Sequence, residues 1–213
     1  MNKTRVLIVE DQAMPRQLFE LYVKGSERYQ VAASIENAAM ADIYCAGDQV
    51  DLILMDVVTK NGASGLDAAA KIKQRYPQIK IIIVTSMPEQ SYLTRAKEAG
   101  IDSFWYKELS EEPILEIMDR TMQGESVFPE ETPEIPLGNA TSKDISEREY
   151  EVLRELIRGD TNSEIAKRLF ISPETVKKHI QHLLDITGFD SRTELAVRAR
   201  EAGLVIADYS EDE

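Results

Sequence analysis

Several polar residues of this 213-residue chain stand at the ends of apolar runs, and their types suggest a shared task. Glu10 and Asp11 follow RVLIV, Asp56 closes DLILM, Thr85 follows IKIIIV and Lys107 follows DSFWY. Each alone is ordinary: an acidic pair is commonly a solvated turn, and a threonine can simply cap a helix. Three carboxylates brought together, however, repel one another unless a cation lies among them. Magnesium suits such a set, because it takes oxygen ligands and binds through one or two carboxylates plus a phosphate oxygen. A lysine opposite the metal can hold a phosphoryl oxygen, and a threonine hydroxyl can donate to another. The predicted chemistry is an aspartyl phosphate with Asp56 as the nucleophile.

For these residues to meet, they must sit at the carboxyl ends of neighbouring parallel strands, where open α/β sheets gather their chemistry. Five apolar runs, RVLIV, VAASI, DLILM, IKIIIV and DSFWY, are spaced widely enough for a crossover helix between each. The third and fourth are nearly all apolar, as expected of strands covered on both faces. Helical patterns run over 13–28, with a stop near Gly25 and Ser26, over 64–75, and over 89–99, with Gly100 closing the last. The 124–143 stretch holds three prolines, Pro129, Pro133 and Pro136, and no apolar periodicity, so it reads as a linker.

After it the pattern is helical: Glu147 to Arg158, Asn162 to Phe170, a third helix opened by Ser172 and Pro173, and Arg192 to Ala202. The second and third have the proportions of a helix-turn-helix, with Ile165, Ala166, Leu169, Val176, Ile180, Leu183 and Leu184 inward. Lys177, Lys178 and Gln181 then point outward, suited to phosphates and base edges in a major groove. His179 and His182 lie three apart, but no third ligand is close in sequence, so a metal site is not expected there.

Composition sets the outer limits. With 43% hydrophobic and 30% charged residues the balance is that of an ordinary globular protein, and no apolar run approaches the roughly eighteen residues that span a bilayer. The start MNKTRVLIVEDQ does not read as a secretory signal, so a cytoplasmic protein without membrane partners is expected. Cys45 is the single cysteine, which excludes an internal disulfide and assigns it to packing. The net charge of −13 confines any DNA contact to a local surface.

Residues 1–123 resemble a bacterial response-regulator receiver domain. The resemblance implies that Glu10, Asp11 and Asp56 bind Mg2+ with the Val58 carbonyl, that Asp56 accepts the phosphoryl group, and that Thr85, Phe104 and Lys107 serve phosphoryl binding and switching. The sequence after Asp56 departs from the family, reading VVTKNGAS with Thr59 and Lys60 where a Met-Pro pair is common, and one residue longer before Gly65. Lys60 reads as a solvated loop residue, an effect on phosphoryl lifetime or partner choice being the alternative.

Nearly all of residues 144–203 resembles the LuxR-type effector domain of the NarL/FixJ subfamily. That likeness implies that Lys177, Lys178 and Gln181 contact the groove, with Thr175 and His179 as backbone contacts or supports. Where the family usually reads Lys-Leu-Gly, this chain has Ile186, Thr187 and Gly188, so its DNA affinity is expected to lean on dimerisation.

The expected architecture is a doubly wound, flavodoxin-like α/β receiver with five parallel strands (1–123), a linker (124–143) and an all-α four-helix LuxR-type domain (144–209). The expected function is a transcriptional response regulator, not an enzyme. A sensor histidine kinase phosphorylates it, and it binds promoter double-stranded DNA as a homodimer; RNA polymerase is a further candidate partner. Two other readings compete with this one. A phosphatase of the haloacid dehalogenase type usually carries a second Asp where this chain has Val58, and a regulator of the same fold could act without phosphorylation.

Overall fold

The apolar runs form strands because each is short, rich in Ile, Val and Leu, and bounded by turn residues. The computed structural model describes residues 3–46, 49–107, 110 and 112–205. The expected domain ends at residues 1–2 and 206–209 lie outside the described residues, as do residues 47–48. In chain order the strands are β1 (Thr4–Val9), β2 (Tyr29–Ile35), β3 (Leu52–Asp56), β4 (Val58–Thr59), β5 (Ala63–Ser64), β6 (Lys80–Thr85) and β7 (Ser103–Tyr106). The main sheet is parallel throughout with order β2-β1-β3-β6-β7, while β4 and β5 form a separate antiparallel pair. This is the doubly wound five-stranded architecture that the sequence predicts.

Helices α1 (Ala13–Gly25), α2 (Ala41–Cys45), α3 (Gly65–Arg75), α4 (Gln90–Glu98) and α5 (Ile114–Met122) follow β1, β2, the small hairpin, β6 and β7 in turn. Phe19 and Val23 of α1 and Ile117 and Met118 of α5 cover one sheet face, packing on Val6, Ile8, Leu52, Leu54, Ile82 and Val84. Every residue of β3 is buried, which explains its lack of alternation. Helix α1 stops at Gly25, where the sequence places its end, because Ser26 turns extended and hands its N–H back to Val23 O at 3.2 Å. Cys45 is buried in α2, and burial raises its thiol to about 11.

The chain divides into two compact units, the first built on Met1–Ser86 and Tyr92–Glu130, the second on Met87–Ser91 and the chain from Glu131 onward. Part of the stretch read as linker is ordered. Strands β8 (Pro136–Leu137) and β9 (Ala140–Thr141) form a hairpin, and Leu137 enters the core of the second unit. Prolines exclude helix but allow a strand end, and Gly138 supplies the left-handed turn residue at φ 63°. Earlier in the same stretch, Val127 lies along the open edge of β7. Phe104 N–H donates to Val127 O at 2.9 Å, and Val127 N–H donates to Ser103 Oγ at 3.1 Å.

Among the described residues four α-helices follow: α6 (Glu147–Ile157), α7 (Asn162–Leu169), α8 (Pro173–Thr187) and α9 (Arg192–Glu201). Reciprocal capping boxes start α6 (Ser146 with Glu149) and α7 (Thr161 with Glu164), and the Ser172 side chain accepts from Thr175 N–H to start α8. Leu153, Ile165, Val176, Leu183 and Leu195 close the core between them. Each fully buried side chain of this size contributes about 1.5–3 kcal/mol. Among the described residues no helix is long and apolar enough to cross a membrane.

Candidate functional site

The order of the main sheet reverses between β1 and β3, so the carboxyl ends of these two strands open onto a crevice. The pairing of Val9 with Met55 brings the residues that follow, Glu10 and Asp56, abreast of each other. On the other side of β3, Asp56 pairs with Val84, and Thr85 ends β6 one residue beyond. Lys107 follows β7, and its N–H donates to Thr85 O at 2.9 Å.

Four of the sequence-selected side chains meet there. Lys107 Nζ donates to Asp56 Oδ2 at 2.8 Å and to Glu10 Oε2 at 2.5 Å. Carboxylate oxygens of Glu10, Asp11 and Asp56 all lie within 4.8 Å of one another. Asp56 Oδ1 also accepts from Val57 N–H at 2.7 Å, and Glu10 Oε1 from Gln12 N–H at 3.1 Å. Burial pushes the Asp56 carboxyl up to about 7, with the Glu10 charge adding to the rise and Lys107 opposing it. Burial works to lower the Lys107 pKa, but Asp56 and Glu10 outweigh it and hold the ammonium above the ordinary lysine value. Two buried carboxylates sharing one ammonium leave a net negative hollow lined by oxygens, the donor set that magnesium takes.

Thr85 is buried at the end of its strand, and Val58 opens the small hairpin two residues past Asp56. The Phe104 ring is buried, with the ring centroids of Tyr106 and Phe128 at 5.0 and 6.5 Å. The loop of unusual length closes on itself: β4 pairs with β5, and Asn61 and Gly62 take the left-handed turn at φ 63° and 67°. Thr59 is fully buried, its Oγ1 accepting from Ala38 N–H and donating to Ala63 O, both at 2.9 Å. Lys60 is exposed and pairs with Glu36 at 2.9 Å.

Three supporting residues, Arg16, Thr59 and Gly65, have roles that no sequence pattern announced. Arg16 Nη1 donates to the carbonyls of Glu10 and Asp11 at 2.8 and 2.9 Å, fixing the acidic turn from α1. Thr59 staples the small hairpin to the segment before α2. Gly65 lies against the acceptor itself: a Cβ there would stand 1.7 Å from Asp56 O.

On α8, Lys177, Lys178 and Gln181 are exposed, while Thr175 and His179 are half-buried. Gln181 Nε2 donates to Asp185 Oδ1 at 2.8 Å, and the Thr175 hydroxyl shares a 2.8 Å hydrogen bond with Ser172 Oγ. His182 contacts Glu149 Oε1 through Nδ1 at 2.5 Å, so it ties α8 to the cap of α6.

Comparison with known proteins agrees with both halves of this picture. The response regulator receiver domain matches residues 6–119, and the luxR family of bacterial regulatory proteins matches residues 143–199. The chain is 32% identical to response regulator protein VraR of Staphylococcus epidermidis over 209 residues, 94% of this chain and 98% of the relative. VraR of Staphylococcus aureus is 31% identical over 207 residues, with the same coverage. Among solved structures, a LuxR-family DNA-binding response regulator from Staphylococcus aureus aligns with a TM-score of 0.52 at 27% identity, over 56% of this chain and 98% of that one. The RcsB response regulator of Salmonella typhimurium aligns over 92% of this chain and 98% of its own, with a TM-score of 0.55 at 18% identity, a likeness of fold. Receiver domains generally bind Mg2+ at an acidic site, and Glu10, Asp11 and Asp56 form such a cluster here. With both matches and relatives of full length in agreement, the chain belongs to the two-component response regulators that join a receiver domain to a LuxR-type DNA-binding domain.

Proposed function

We propose that a sensor histidine kinase phosphorylates this protein on Asp56, and that the phosphorylated form dimerises and binds promoter DNA in a sequence-specific way. Residues 1–123 carry the acceptor and residues 144–209 read the DNA, with 124–143 between them. The observation that carries the reading is the Lys107 ammonium bridging Asp56 and Glu10 at 2.8 and 2.5 Å, with Asp11 beside them.

In the transfer, an Asp56 carboxylate oxygen attacks phosphorus, and the bond to the kinase histidine nitrogen breaks as the acyl phosphate forms. Glu10, Asp11, Asp56 and the Val58 carbonyl would hold Mg2+, which would supply positive charge to offset the repulsion between carboxylates and phosphoryl oxygens. Lys107, with three donors on a flexible stem, exchanges a carboxylate oxygen for a phosphoryl oxygen without leaving the site. The Thr85 hydroxyl donates to a second phosphoryl oxygen, and Phe104 responds to its movement. Phosphorylation can favour the active form only through contacts made better there, so the switch is a shift of population.

Lys177, Lys178 and Gln181 contact the major groove, and Thr175 and His179 support them at the backbone. At a promoter, RNA polymerase is the partner through which occupancy changes transcription. Incubation with acetyl phosphate and Mg2+ tests the acceptor: the unsubstituted chain should give a phosphoprotein and Asp56→Asn none. Label in the Asp56→Asn protein would refute the assignment. No label in either would favour a regulator that works without phosphorylation, and steady turnover of a phosphate ester would favour a phosphatase.

A further inference from the structure

Helix α7 ends where glycine is the usual residue. The N–H groups of Phe170 and Ile171 both return to Ala166 O, the second at 3.0 Å, a stop that needs a left-handed residue between helix and turn. That residue is Phe170, at φ 54° and ψ 45°. In this region a side chain crowds its own backbone, which glycine avoids and asparagine tolerates, but a bulky aromatic does not. The turn is held firmly, since Arg148 Nη2 donates to Leu169 O at 2.7 Å and Ile171 packs against the core of the second unit.

The ring contributes nothing to that core. Phe170 is 94% exposed, more than any other large apolar residue among those described. The left-handed backbone costs folding free energy and a ring left in water returns none of it, so the use of this side chain lies outside the fold.

Its position says where. When a helix-turn-helix docks, the first helix crosses the DNA backbone and the start of the second reaches base edges, so the turn between them comes down at the lip of the groove. Phe170 occupies that turn, just ahead of the Ser172 cap of α8. Further along α8, Lys177 and Lys178 are exposed and make no ion pair among the described residues, which suits a polyanion on this side. What the lip of a groove offers a phenyl ring is apolar carbon: deoxyribose, or the C5-methyl of thymine.

We infer that Phe170 is a DNA-contacting residue whose ring packs on apolar carbon of the duplex beside the bases read by α8. The inference rests on the proposed DNA-binding function. Phe170→Asn removes the ring and relieves the left-handed strain; Phe170→Leu keeps apolar bulk and strain. The probe is the duplex that the full chain, treated with acetyl phosphate and Mg2+, selects from a random-sequence library. The Asn variant should melt at a higher temperature than the unsubstituted protein yet bind the duplex about tenfold more weakly, the size of one lost base-edge contact. Its salt dependence should be unchanged, because no phosphate contact is lost. The Leu variant should lose less affinity.

Replacing thymines singly by deoxyuridine separates the two carbon sources. A methyl contact appears as one position where replacement weakens the unsubstituted chain but not the Asn variant, whereas with a sugar contact every replacement acts equally on both. Equal affinity of the Asn variant and the unsubstituted chain overturns the inference and leaves the proposed function standing. Failure of the unsubstituted chain to select any duplex overturns both. Loss of DNA-free self-association in the Asn variant would assign the ring to a protein contact instead.

Discussion

Replacing Gly65 by alanine should damage stability and phosphorylation together, because the two share one backbone atom. An ideal Cβ at residue 65 would stand 1.7 Å from Asp56 O, 2.9 Å from Asp56 C and 3.0 Å from Met55 Cγ. The methionine side chain can give way, but the carbonyl belongs to β3, which is paired on both sides by β1 and β6. Reaching ordinary contact at ~3.5 Å requires the two segments to part by roughly 1.8 Å. Gly65 N–H also donates to Val57 O at 2.8 Å, and that bond stretches as they part. Overpacking costs about 1–3 kcal/mol and the weakened hydrogen bond about 1 kcal/mol more. A loss of about 3 kcal/mol in a domain of this size lowers Tm by about 10 °C. Displacing the acceptor by about 1 Å should slow phosphorylation from acetyl phosphate on the order of a hundredfold. Thermal melts followed by circular dichroism give the first quantity, and the initial rate of phosphoprotein formation the second. Gly25→Ala is the control, since a Cβ there meets nothing within 4 Å. A Gly65→Ala protein that matches the unsubstituted chain in both measurements would refute this account of how the acceptor is held.

Stability in the absence of magnesium should fall with rising pH near neutrality. Burial lifts the Asp56 carboxyl from 3.8 to about 7, so the folded state keeps a proton that the unfolded chain has given up. The contribution is complete below pH 4 and lost as pH rises through 7; between pH 5.5 and 7 it amounts to ~2 kcal/mol. Urea midpoints across this window measure it, and Asp56→Asn should flatten the trend; an unchanged slope in that variant would count against the cause given. Thr59→Val keeps the shape of the side chain but strands Ala38 N–H and Ala63 O, which should cost about 2 kcal/mol in chemical denaturation. Lys60→Ala, which breaks only an exposed pair with Glu36, should leave the midpoint where it was, and equal effects from the two would show the staple to be idle.

The main sheet was legible because its strands are buried on both faces, so composition alone marks them; β3, from Leu52 to Asp56, is the clearest case. The helix starts were legible where a cap is written in the chain, as at Ser146, Thr161 and Ser172. The gathering of Glu10, Asp11, Asp56 and Lys107 could be anticipated because each follows a strand in an order that forces proximity. What could not be read depends on chain segments distant in sequence. Arg16 and Thr59 act through backbone carbonyls and amides, which leave no residue pattern. Within 124–143, prolines masked the β8 and β9 hairpin, since strands of two residues have no periodicity to detect. The left-handed Phe170 was hidden for the opposite reason: glycine or asparagine would have announced it, and phenylalanine does not.

The position of Val127 along β7 bears on where the protein can be divided. In the main sheet β7 is an outermost strand, and an outermost strand with unpaired amides invites sheet growth between molecules. Val127 occupies the Phe104 amide, while Phe128 lies beside the Phe104 ring with Lys97 Nζ 5.5 Å from its own centroid. A fragment trimmed after residue 123 would bare that margin and become prone to aggregate. One that ran on to Glu130 would carry its own selvedge.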